Sequence, residues 1–219
     1  MIKGVIFDLD GTLIDSMQVW NKVDIAFLKE CGVAEPPEDI SDRVRKMTVD
    51  QSSEYFISEF GLSCTKEYVI NRVEELVKIQ YEEIIPLKAG VFELLDFLDE
   101  RGIPYGVATA TYKRLAEAVL RRHGILDRLT FLLTDEEFPE GKCSPGIFIA
   151  GAEMLKSSPS ETLVAEDSLH CLETASGAGF FTVGVYDQVS AADREEAEKI
   201  SDAYIMKLDE LKKIILSKD

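Results

Sequence analysis

This chain of 219 residues has no Cys-x-x-Cys pair, no histidine at metal-ligand spacing and no apolar run approaching the ~20 residues of a membrane span. Each absence excludes a class of function. Its four cysteines, Cys31, Cys64, Cys143 and Cys171, are scattered, which leaves free thiols in a reducing cytosol as the simplest reading. Positive charge is also scarce: 24 Lys+Arg stand against 41 Asp+Glu, a net charge of −17. Such a balance argues against nucleic acid or an anionic membrane as a partner. It also repels anionic small molecules at long range, so a phosphate site here has to be made locally favourable by a metal or a few placed cations. Two aspartates inside MIKGVIFDLD keep the opening segment from serving as a signal-peptide core. We therefore expect a cytoplasmic, monomeric protein.

What is present suits one large domain or a domain with a modest insert. Hydrophobic residues make up 46% and charged residues 30%, ordinary for a globular chain. Ile2 to Phe7 is a short β-branched run, read as a strand buried on both faces. From Met17 to about Tyr81 the pattern is helical. Trp20, Val23, Phe27 and Cys31 recur at three- and four-residue spacing, and Val49 to Phe60 and Glu67 to Tyr81 form further helices. After Pro86 helices and strands alternate. Helices at Val91–Glu100, Lys113–Arg122, Ile147–Leu155 and Leu169–Ala178 precede strands at Tyr105–Ala108, Phe131–Leu133, Thr162–Ala165 and Phe181–Val185. A strand at Ala203–Met206 and a helix at Asp209–Leu216 follow. Repeated units of this kind predict an α/β fold, a Rossmann-like parallel sheet core over 1–15 and 86–219. The stretch 16–85 is then an inserted helical cap domain.

In an open parallel sheet, ligands bind beyond the carboxyl ends of the strands, so the residues after each strand are the candidates. Strand one runs into Asp8-Leu9-Asp10-Gly11-Thr12, with Asp15 close behind. Residues two apart on extended chain point the same way, so Asp8 and Asp10 could face one site and suit a hard cation such as Mg²⁺. An acidic turn opened by Gly11 is the plainer alternative. Thr109-Ala110-Thr111 reads either as a helix cap at Thr111 or as a hydroxyl and amides that cradle phosphate. Lys142 lies in a loop before Ser144-Pro145, which reads as N-cap and first residue of the next helix. Glu166-Asp167-Ser168 ends another strand and is either a cap or two more carboxylates on the same edge. Capping alone accounts poorly for four carboxylates, a hydroxyl and a lysine gathered on one sheet edge.

Taken in order, DLDGT with Asp15, then Thr109, Lys142 and Glu166-Asp167 resemble the four motifs of the haloacid dehalogenase superfamily. The resemblance spans nearly the whole chain, and the insert looks like the cap of the β-phosphoglucomutase-like branch. It implies a phosphatase acting on a small phosphorylated metabolite. Asp8 would be the nucleophile and Asp10 the general acid and base. Mg²⁺ would be held by Asp8, the Asp10 carbonyl and Asp167, with Glu166 as a direct or water-mediated ligand. Thr109, the Ala110 amide and Lys142 would hold phosphoryl oxygens. Haloacid dehalogenases themselves lack the second aspartate, so Asp10 points away from dehalogenation. The loop Lys142-Cys143-Ser144-Pro145-Gly146 departs from the family's Lys-Pro-x-Pro-Asp.

Two enzyme readings and one binding reading remain open. A sugar phosphomutase of the same branch carries a His in its first cap helix and an Arg in the next cap segment. Alignment puts Trp20 and Asp50 at those places. Trp20, Arg43, Arg45 and Lys46 are the candidate substrate contacts of the cap, against cap core and a solvated basic face as the bland readings. His123 reads as a helix-dipole partner, and His170, close to Glu166-Asp167, as a possible neighbour of the site. A non-catalytic module on the same fold is the third reading.

Overall fold

The computed structural model describes residues 1–44, 47, 49–138 and 140–218, the side chains of 20, 21, 42, 49 and 50 excepted. It divides into two compact units, Met1–Met17 with Pro86–Asp219 and Gln18–Ile85.

The first unit is a six-stranded sheet of β1 (Gly4–Phe7), β2 (Tyr105–Thr109), β3 (Leu132–Thr134), β4 (Thr162–Glu166), β5 (Phe181–Val185) and β6 (Ala203–Ile205). Every pairing is parallel, in the order β3-β2-β1-β4-β5-β6. β1 and β4 are buried along their whole length. That is why they read as unbroken apolar runs rather than as alternating strands. Strand order climbs from β1 to β3 and then returns to β4 on the far side of β1, so the reversal of direction falls at the β1–β4 pair. Such a switch point leaves a crevice beyond the strand ends. Register sets its floor: Phe7 pairs with Val107 on one side and Ala165 on the other. The next residues along, Asp8 and Glu166, therefore come level.

Six described α-helices complete the first unit. Of these, α5 (Val91–Glu100), α6 (Lys113–Arg122), α7 (Gly146–Met154), α8 (Leu169–Gly177) and α10 (Leu211–Leu216) fall where the periodicity puts them, within one or two residues. In the second unit, α1 (Val19–Glu30), α3 (Val49–Phe60) and α4 (Lys66–Ile79) do the same. Two helices have no counterpart in the sequence reading: α2 (Ile40–Val44) and α9 (Arg194–Ile200). They have five and seven residues, too short for a periodic pattern to register. α2 is fixed by a tertiary bond instead, the Ser41 hydroxyl donating to the buried Asp24 carboxylate of α1 at 2.6 Å. Burial pushes Asp24 up to about 6, opposed by that hydrogen bond.

The core under the sheet gathers Ile6, Phe131, Ile147, Phe148, Val164 and Phe180. Within the second unit Phe27, Leu28, Ile40, Phe56 and Val69 form a separate core. Cys31 and Cys64, distant in sequence, meet beside it, and burial with the neighbouring thiol pushes the Cys31 thiol up. All four cysteines are free. Among the described residues no helix is long and apolar enough to cross a membrane.

One position measures how closely side chains pack between β2 and the chain entering β3. A Cβ at Gly106 in β2 would lie 2.5 Å from the Phe131 ring. Gly106→Ala therefore forces overpacking, with an expected cost of about 1–3 kcal/mol. The urea midpoint of the variant should fall accordingly. An unchanged midpoint would contradict the close approach.

Candidate active site

Three of the sequence-predicted carboxylates converge at the switch point. Asp8, Glu166 and Asp167 are all buried, and each offers an oxygen within 4.8 Å of the others. Asp8 leaves β1 with its amide still on the ladder, donating to the Ala165 carbonyl at 3.0 Å. The chain then turns at once. Leu13 and Ile14 donate back to the Leu9 carbonyl at 2.9 and 3.0 Å, and Gly11 donates to the Ile14 carbonyl at 3.0 Å. Gly11 holds φ +88, and a Cβ there would lie 2.7 Å from Asp167 Oδ2. Glycine is thus required twice, for a left-handed backbone and for room beside a carboxylate.

Lys142 joins the cluster across the sheet. It stands on a single 3₁₀ turn, Gly141–Cys143, and is 8% exposed. Its ammonium donates to Asp8 Oδ1 and to Glu166 Oε2, the latter at 2.7 Å. The other Glu166 oxygen accepts the Ser168 amide at 3.1 Å. The second Asp8 oxygen, Oδ2, is buried with no hydrogen-bond partner among the described residues. Burial dominates the electrostatics. It pushes Asp8 up to about 7 in spite of Lys142, with Asp167 and Asp10 adding to the rise. Burial likewise raises Glu166 and Asp167. For Lys142, burial disfavours the charge, but Asp8 and Glu166 outweigh it and hold the ammonium well above its usual range. Three buried carboxylates around one ammonium leave an excess of negative charge, with one oxygen uncompensated. An all-oxygen donor set of this kind fits a small hard cation.

Asp10 turns elsewhere. Half-buried, its Oδ2 accepts the Thr111 hydroxyl at 2.6 Å. The cap expected at Thr111 is accordingly absent: α6 has Tyr112 at its N-cap, with no side-chain cap bond. Thr111 instead gives its hydroxyl to Asp10 and its amide to Thr109 Oγ1 at 3.1 Å. Thr109 is buried at the end of β2 and Ala110 is exposed next to it. The pair Ser144-Pro145 also sits one residue earlier than expected, with Pro145 at the N-cap and α7 beginning at Gly146.

His170 is exposed, and its ring bonds to Ser168 Oγ at 2.7 Å and Cys171 Sγ at 3.2 Å, both local contacts. His123 is the C-cap of α6, with Arg122 Nη2 at 3.0 Å from its ring. Arg43 is exposed and paired with Asp39 at 2.9 Å. The side chain of Trp20 and the whole of Arg45 and Lys46 lie outside the described residues.

Three polar residues near the cluster escaped the sequence reading. Ser190 donates to Asp167 Oδ2 at 2.7 Å, and Lys88 pairs with the buried Asp187 at 2.7 Å. Asp187 and Ser190 follow β5, so the strand-end rule applied to the other strands would have found them. Lys88 follows no strand, and no local signal marks it.

A family model described as haloacid dehalogenase-like hydrolase matches residues 2–179. The chain is 29% identical over 204 residues to a β-phosphoglucomutase of Bacillus subtilis (strain 168), covering 84% of this chain and 83% of that protein. It is 28% identical over 186 residues to hexitol phosphatase A of Escherichia coli (strain K12), covering 84% and 82%. The fold overlies that of a candidate β-phosphoglucomutase of Thermotoga maritima with a TM-score of 0.85, at 25% identity and 99% coverage of both chains.

Proposed function

Since the chain belongs to the haloacid dehalogenase-like hydrolase family, we propose that it is a Mg²⁺-dependent phosphatase of small phosphorylated carbohydrates working through an aspartyl-phosphate on Asp8. The observation that carries this reading is the state of Asp8. It is a buried carboxylate at a strand end with one oxygen held by Lys142 and the other without a partner among the described residues. The sugar-phosphate class follows from the names of relatives that act on hexitol phosphates and on phosphoglucose.

In the first step an Asp8 oxygen attacks phosphorus in line, the bond from phosphorus to the ester oxygen breaks, and Asp10 gives that oxygen a proton. In the second, Asp10 takes a proton from water, which attacks the same phosphorus, and phosphate leaves with Asp8 restored. The Thr111 hydroxyl donates to Asp10 Oδ2 at 2.6 Å and helps orient the carboxylate for that exchange. Lys142 has three N–H groups, two of them on Asp8 and Glu166, so a third is left to meet a phosphoryl oxygen together with Thr109 and the Ala110 amide. Asp8, the Asp10 carbonyl and Asp167 would hold Mg²⁺. Glu166, both of whose oxygens already accept protein hydrogen bonds, would join through water. Bound there, Mg²⁺ supplies the positive charge that offsets the phosphoryl oxygens against Asp8.

Hydrolysis is preferred to mutase chemistry because of the second unit. A mutase has to keep its aspartyl-phosphate alive while a sugar rebinds in the opposite orientation, which calls for cations and donors on a second phosphate. Trp20 and Asp50 stand where mutases carry His and Arg, so one position lacks a group able to carry positive charge and the other has the wrong charge. Given β-glucose 1-phosphate with a trace of the 1,6-bisphosphate, the protein should release free phosphate faster than it forms glucose 6-phosphate. Isomerisation well ahead of phosphate release would reverse the assignment.

A further inference from the structure

Lys88, Asp187 and Ser190 are absorbed by none of the roles above, yet they form one connected scaffold. The Lys88 ammonium donates to the Gly11 carbonyl, to the Tyr186 carbonyl at 2.9 Å and to Asp187 Oδ2 at 2.7 Å. Three acceptors match its three N–H groups. One acceptor belongs to the turn after β1 and two to the segment after β5. Asp187 directs its other oxygen to the Val189 amide at 2.8 Å, which closes that segment into a tight turn. Ser190 follows the turn and places its hydroxyl 2.7 Å from Asp167 Oδ2. Gly11 approaches the same carboxylate, for even a methyl group there would come within 2.7 Å of Asp167 Oδ2. Lys88 thus ties together the two segments that approach the Asp167 carboxylate.

We infer that Lys88, Asp187 and Ser190 are positioning residues: they fix the rotation of the Asp167 carboxylate and the seat of the Gly11 turn, and so set how tightly the site takes Mg²⁺. The inference rests on the reading of Asp167 as a Mg²⁺ ligand. Groups that hydrogen-bond to metal ligands typically contribute about 10–100-fold to metal affinity. The charge arrangement suits that task. Lys88 is neutralised by Asp187, so the scaffold orients Asp167 without setting an uncompensated cation beside the one the site would bind. A purely structural ion pair would do nothing for Asp167. The link through Ser190 is what separates the two roles.

The test is Mg²⁺ titration of the full chain by calorimetry without substrate, with Ser190→Ala and the double variant Lys88→Met/Asp187→Asn. The double variant removes both charges together, so no unpaired buried ion is left behind. Ser190→Ala removes one hydroxyl and leaves the ion pair intact. Each should weaken Mg²⁺ binding by about 10-fold. In Mg²⁺-saturated assays the KM for p-nitrophenyl phosphate should stay at the parent value, while the Mg²⁺ concentration for half activation rises by the factor seen in calorimetry. Unchanged Mg²⁺ affinity in a folded Ser190→Ala protein would overturn the inference, whatever becomes of the double variant. Asp167→Ala is measured alongside. Loss of affinity in that variant with none in Ser190→Ala would refute the scaffold and leave Asp167 a ligand. A parent chain that takes up no Mg²⁺ would refute the metal reading itself and the inference with it.

Discussion

Asp8→Asn should abolish phosphate release, by more than about 10⁴-fold on the scale typical of a lost nucleophile, while the chain stays folded. An amide cannot form the acyl-phosphate, and no other carboxylate in the cluster can replace it. Asp167 is held by Ser190, and both oxygens of Glu166 accept hydrogen bonds. Retention of the fold follows from the local charge balance. The substitution takes one negative charge from a cluster of three buried carboxylates. Lys142 loses an ion pair to Asp8 but keeps the one to Glu166 at 2.7 Å. Burial already pushes Asp8 toward its neutral form, so a neutral isostere costs the metal-free protein little. The check is a phosphate-release assay on a sequence-verified variant, paired with a denaturation curve. Turnover above a trace level would remove Asp8 as the nucleophile.

How much of this was legible in the sequence depends on the range of the signal. β1, β2 and β4 are fully buried parallel strands, so their apolar runs announce them, and motif residues stand at their last positions or directly after. The convergence of Asp8 with Glu166 and Asp167 follows from the pairing of β1 with β4, a long-range neighbour relation that no local pattern announces. Other features depend on contacts distant in sequence. α2 is held by Ser41 on Asp24, 17 residues away, and α9 is only seven residues long. Thr111 looked like a cap because hydroxyls before helices usually are caps. Its actual acceptor, Asp10, is 101 residues away. Lys88 reaches Tyr186 over 98 residues from a segment with no motif around it. A lone lysine in a loop is ordinarily solvated, and only the fold distinguishes this one.

Removing Mg²⁺ should have the other large effect, and its size should depend on pH. Turnover in excess EDTA is expected to fall to background, since nothing but Lys142 would then offset the negative charge around Asp8 and the phosphate. The same charge excess governs stability. In the metal-free fold, burial pushes Asp8 up to about 7 from an ordinary value of 3.8, and raises Asp167 and Glu166 as well. Between these limits the folded state holds a proton on Asp8 that the unfolded chain has released. The stabilising contribution is therefore complete below the unfolded value and is lost as pH rises through about 7. Metal-free protein should melt lower at about pH 8 than at about pH 5.5 on account of this group. Mg²⁺ competes with those protons, so it binds better as they leave. Its stabilisation should be small near pH 5.5 and larger near pH 8, about 2.7 kcal/mol at a hundred times its dissociation constant. Thermal scans with Mg²⁺ or EDTA at the two pH values read this directly, and Asp167→Ala should flatten the difference. A Mg²⁺ shift equal at both pH values would contradict proton competition at the buried carboxylates. Full activity in EDTA would contradict the metal assignment.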